Sequence, residues 1–244
     1  MQEEKKVSTK QLVPTSILLL LVALVALAAV TYAWFTIADN TRVNLRMDIT
    51  TGKFVRIEVQ AHDSYEDYKP FLYFDEIRDY VIKHGGPDYN EIIMEPVTTT
   101  NGRTFTYEHG EPVTADDFVY VEYTLHFRSL DHVLLHLTTN NSKDKADGTR
   151  IDSMENPSVR RAMRISYTDP YGNTHIYNPR SNVNYTKFTQ DTVVCELPAD
   201  TDVPVVVRVW LEGNDPECTN ALKGMDYIIQ MRFEATDMNY QPLE

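Results

Sequence analysis

Cysteine is almost absent from this 244-residue chain. Only Cys195 and Cys218 occur, too few for a disulfide-built scaffold and without the spacing of a redox or zinc motif. Glycine is scarce as well, at nine residues, which argues against a low-complexity or disordered chain. Positive charge is in deficit: 23 Lys and Arg face 36 Asp and Glu, for a net charge of −13. Such a surface repels phosphate backbones and anionic lipid, so nucleic acid is not expected as a partner. Signature loops are missing too, with no Gly-x-Gly-x-x-Gly, no Walker loop and no Gly-x-Ser-x-Gly. The motif inventory therefore supports no enzyme class.

What is present begins at the amino terminus. Lys5, Lys6 and Lys10, diluted by Glu3 and Glu4, precede an unbroken apolar run of 14 residues from Ile17 to Val30. That length suits the core of an export signal, and Thr31 and Ala33 offer the two small side chains that signal peptidase requires. Cleavage after Ala33 would leave residues 34–244 as the mature protein. A second reading stays open. Ile17 to Ala38 is uncharged over 22 residues, enough for a membrane anchor over 17–38 with Tyr32 and Trp34 at the interface. Arg42 and Arg46 beyond the run weaken any orienting charge bias. The run contains no Glu near its start, so a type IV pilin leader is excluded.

Downstream, period-two alternation dominates. Val43, Leu45, Met47 and Ile49 alternate with Asn44, Arg46 and Asp48, and Val55, Ile57 and Val59 follow a Thr51-Gly52 turn. Val119 to Phe127, Val133 to Leu137, Met163 to Tyr167, Val205 to Leu211 and Met225 to Phe233 continue the pattern, with Trp210 falling on a polar side. One helix is expected near 74–84, where Asp75 and Glu76 open it, Lys83 and His84 close it, and Gly85-Gly86-Pro87 stops it. Residues 140–157 read as a polar surface loop. Clean alternation with short turns fits an all-β fold, read as an antiparallel β-sandwich with one helical insertion, preceded by the hydrophobic signal or transmembrane helix; alternation alone leaves a barrel open. Residues 34–244 form one domain on this reading.

Few residues offer chemistry. His132 and His136 are four apart, but the metalloprotease motif needs Glu after the first His and Val133 stands there. Glu212, Asp215 and Glu217 gather in "EGNDPEC", a turn that could attract calcium, though without EF-hand spacing. Otherwise no metal or cofactor is expected. In an oxidising compartment Cys195 and Cys218 could form one disulfide, if the fold brings them together.

"VTYAWFTIADNT" resembles the SipW-type export signals of Gram-positive secreted proteins. "VVVRVWLEGNDPECTNALKG", "YVEYTLHFRS" and "VRRAMRISYTDPYGNTHIYNP" are similar to segments of clostridial proteins that carry such signals, the TasA/camelysin group of fibre-forming and surface proteins. The resemblance implies a jelly-roll form of the sandwich, and cleavage at Ala33/Trp34 or Trp34/Phe35. Peptidase activity has been described for camelysin-like members, but the motif that would carry it is missing here. The resulting expectation is a secreted, extracellular or cell-surface fibre subunit. Signal peptidase would free the amino terminus, membrane contact would end with processing, and Val43, Leu45, Met47 and Ile49 would complete a neighbour's sheet as a donor strand. The rival expectations are a secreted or tethered binding module, and an ordinary first strand paired within its own sheet.

Overall fold

Each strand of this protein buries every second side chain, and two sheets bring those faces together. The computed structural model describes residues 17–25, 44–92, 94–114, 116–140, 148–153, 159–219, 222 and 225–243. The chain divides into two units, Met1–Asn40 and Thr41–Glu244. In the first, the described residues 17–25 are helical with exposed side chains. No helix among the described residues is long and apolar enough to cross a membrane.

The second unit contains strands β1 (Asn44–Thr51), β2 (Arg56–Glu58) and β3 (Phe71–Tyr73), then helix α1 (Phe74–Lys83). Next come β4 (Val121–Arg128), β5 (Val133–Leu137), β6 (Arg150–Asp152), the four-residue helix α2 (Val159–Ala162) and β7 (Met163–Thr168). The chain closes with β8 (Thr174–Tyr177), β9 (Val193–Leu197), β10 (Val203–Leu211) and β11 (Asp226–Thr236). One sheet runs β3-β1-β11-β5-β9, with β6 also on β11; the other runs β2-β4-β10-β7-β8. The protein is thus a two-sheet β-sandwich.

Leu45, Met47 and Ile49 of β1 share one apolar core with Tyr227 to Phe233 of β11, Tyr123 to Phe127 of β4 and Val203 to Val209 of β10. Phe233 links the sheets: it meets Phe127 edge-on at 4.9 Å and Tyr167 at 5.6 Å. The expected helix appears as α1. Glu76 Oε1 accepts from the Tyr73 backbone N–H, and Gly85 takes the left-handed turn (φ 84) that ends the helix.

Three expectations need correction. The sandwich is not wholly antiparallel, because β1 pairs with β11 in parallel, from Asn44 opposite Asp226 to Thr51 opposite Phe233. A parallel pair needs a long crossover, and here residues 52–225 supply it. The 140–157 segment is not only a loop, since β6 lies within it and sends Ile151 into the core. Trp210 is also not on a wet face. It is 1% exposed in a small outer core with Val97, Phe105 and Val119, formed because the chain before β4 folds back over the second sheet. Gly102 permits that close approach: it sits at φ 67, and its carbonyl accepts from Ser166 Oγ on β7.

Candidate functional site

The seat of β1 is the feature most relevant to assembly. Four strand pairs nest like the layers of a folded hairpin: β7 with β8, β5 with β9, β4 with β10, and β1 with β11. The first three are antiparallel, as a continuous folded ribbon requires; the outermost pair is parallel. On its other side β1 meets β3 only through Asp48, Ile49 and Thr50. Residues Asn44–Met47 therefore have β11 as their one strand neighbour among the described residues. A groove of about 850 Å³ runs beside that half of β1, with Arg46, Asp48, Asp75 and Arg78 in its walls.

Within the strand, Leu45, Met47 and Ile49 are 4%, 2% and 1% exposed. Burying three such side chains contributes roughly 6 kcal/mol. Arg46 and Asp48 face out. These donor-strand residues are thus paired inside their own chain. Val43 lies outside the described residues, as do Thr31, Ala33, Trp34 and Phe35 of the cleavage region.

The candidate histidines are separated. Four strand residues span about 13 Å, too far for one metal. His132 is half-exposed and meets Glu196 through Nε2–Oε1 at 2.5 Å. His136 is fully buried on β5, with Nδ1 2.9 Å from Thr192 Oγ1 and Nε2 2.9 Å from Thr236 Oγ1. Thr236 donates its own proton to the Asp237 carbonyl, so its oxygen accepts from His136 Nε2–H. Burial, reinforced by His175, lowers the His136 pKa from 6.5 to about 4. Among the described residues no group of three His, Cys, Asp or Glu could hold a metal ion.

The acidic turn is already committed to protein cations. Asp215 Oδ2 accepts from Arg164 Nη2 at 2.7 Å and Arg180 Nε at 2.8 Å, while Oδ1 accepts from Arg180 Nη2 at 3.1 Å. Burial would raise this carboxyl, but bonds from Arg180, the Glu217 backbone and Arg164 outweigh it and hold the pKa low. Glu217 Oε1 meets Arg161 and Arg180, and Glu212 Oε2 accepts from Trp210 Nε1. Arginines thus balance Asp215 and Glu217, while Glu212 is held by the Trp210 indole.

Cys195 and Cys218 are free thiols. Cys195 is opposite Leu135, which is opposite Ala235. Cys218 lies within electrostatic reach of Tyr227, eight residues back along β11. That separation is roughly 27 Å, against the roughly 7 Å limit of a disulfide. The sandwich keeps the two sulfurs apart.

One further concavity was not visible in the sequence. A cleft of about 630 Å³ lies where β8 and β9, the end strands of the two sheets, come together. Its walls come from Leu134, the continuous Asp169–His175 stretch, the Gln190–Glu196 stretch, and Met238 with Tyr240. Four separate stretches of chain contribute, and none carries a motif.

Comparison with known protein families and with curated proteins finds no match to the chain.

Proposed function

We propose that this protein is a secreted cell-surface structural subunit without enzymatic activity, built on a jelly-roll sandwich and joined into extracellular fibres by exchange of β1 after its leader is removed. The observation that carries the reading is the parallel seat of β1. The nested pairs follow the plan of a rolled hairpin, and the strand that departs from its antiparallel order is the one nearest the amino terminus. Such a strand can leave without unthreading any other. Its place between β11 and the short β3 can then receive the same strand from another copy.

The energetics leave exchange to mass action. A donated β1 remakes the contacts of Leu45, Met47 and Ile49 in its neighbour, so the core term is nearly unchanged between monomer and polymer. Concentration and the geometry of the 52–55 turn then set the balance. Each copy both gives and receives, and a contact of that kind extends into a filament unless it closes into a ring. An uncut leader would keep the strand at the membrane, which makes signal peptidase the trigger.

Electron microscopy of the product from the native cell surface tests this reading. Filaments that dissolve into monomers on unfolding support it, and dispersed monomers at high concentration contradict it. The cleft between β8 and β9 favours a second reading, a secreted or membrane-tethered binding module. Mass spectrometry that finds residues 1–33 retained would favour the tethered form.

A further inference from the structure

We propose that the cleft between β8 and β9 is a binding site for a glycan of pyranose units bearing free amines. The inference is independent of strand exchange.

A sugar ring shows two chemistries: apolar C–H faces, and a rim of hydroxyls that both donate and accept. A site for it needs an exposed aromatic surface, together with planar polar groups not already used by the protein. The cleft supplies both. Tyr171 is 85% exposed, among the most exposed large side chains of the described chain. Its backbone is nevertheless held in place. Asp169 accepts from the Tyr171 and Asn173 backbone N–H groups at 2.9 and 2.8 Å and from Asn173 Nδ2 at 2.8 Å, while Gly172 adopts φ 86. A rigid turn confines the entropy lost on stacking to the phenol's own side-chain torsions.

Opposite the turn, Tyr240 sits in the left-handed region at φ 63, and its hydroxyl donates to Gln190 Oε1 at 2.5 Å. The Gln190 amide nitrogen is left as a donor, and Asn173 keeps its carbonyl oxygen as an acceptor. His175 is anchored through Nε2, 3.2 Å from the Tyr185 hydroxyl, which leaves Nδ1 available. The Asp191 carboxylate has no hydrogen-bond partner among the described residues. Leu134, Val194 and Cys195 give the floor its apolar surface.

Charge selects the class of sugar. Of the acidic residues lining the cleft, Asp169 is bonded within its turn and Glu196 to His132, which leaves Asp191, and no lysine or arginine lines it among the described residues. A uronic-acid or phosphate-bearing polymer would meet the Asp191 carboxylate and the acidic surface, relieved only by Arg103 against the outer side of the turn at Gly172, whereas a protonated hexosamine finds the Asp191 carboxylate.

Isothermal titration calorimetry on the full chain separates the possibilities, with a glucosamine tetramer, an N-acetylglucosamine tetramer and spermine as probes. The proposal expects saturable binding of the glucosamine tetramer, weaker binding of its acetylated counterpart and none of spermine at this site. Tyr171→Ala changes an exposed side chain and should weaken the glucosamine tetramer about tenfold by loss of stacking. Asp191→Asn should bring the two tetramers to equal affinity. No saturable heat with either tetramer would overturn the proposal. So would spermine binding as tightly as the sugar, equal affinity of the two tetramers for the unaltered protein, or a Tyr171→Ala variant that binds normally.

Discussion

Lowering the pH from neutral to about 5 should destabilise this protein, and His136 is one of two buried histidines responsible. Its ring is fully buried on β5 between Thr192 and Thr236, and its pKa falls from 6.5 to about 4. The unfolded chain therefore takes up a proton near pH 6.5, while the folded chain resists until about pH 4. Stability linked to this group is complete above the unfolded value and is lost as pH falls between the two. The shift corresponds to roughly 3 kcal/mol in full, and about 2 kcal/mol is lost between about pH 7.5 and 5. His175 is also lowered to about 4 by burial, against the opposing pull of Asp191, and acts in the same direction. Asp215, whose pKa is held low, contributes only at more acidic pH. Urea unfolding at the two pH values, for the wild type and His136→Gln, reads the effect directly. The variant has lost the titrating group, so its stability should fall about 2 kcal/mol less over that interval. Parallel profiles would refute the assignment of a neutral, buried His136.

Other substitutions probe the frame. Asp215→Asn leaves the buried Arg164 without its counter-charge and should cost about 3–5 kcal/mol in urea unfolding. Gly102→Ala puts a Cβ at φ 67 and 2.9 Å from Ser166 Cβ, so it should lower stability by about 1–3 kcal/mol and loosen the outer core, read as faster hydrogen exchange around Trp210. Met47→Ala should destabilise the monomer by about 2–5 kcal/mol, with a similar loss in the assembled form because both use the same pocket. Under native conditions Cys195 and Cys218 should react slowly with a thiol reagent, since burial raises both thiol pKa values, that of Cys218 to about 11, and unfolding should release two thiols.

Much of the sandwich is legible as alternation because β1, β4, β10 and β11 each have one buried face, and α1 carries its own start and stop signals. Other features depend on contacts that no local pattern records. The partner of β1 is a strand almost at the other end of the chain, and parallel pairing leaves no turn signature. On β5 both faces are covered, so His136 looks like a surface residue in sequence while lying in the interior. Trp210 sits among polar neighbours until the preceding chain folds over it. Tyr171 is visible only as a member of a turn, because the cleft that gives it a role is assembled from four distant stretches.

Strand exchange is tested most directly by recording which chain supplies β1. Arg46 and Ile228 are neighbours across the parallel β1–β11 pair, with Arg46 on the outer face. An Arg46→Cys/Ile228→Cys protein, produced in its native cell and oxidised, should migrate without reductant as a ladder of covalent oligomers that collapses to monomer when reduced. A single monomer band with the bond closed inside one chain, unchanged as concentration rises, would contradict assembly through this strand.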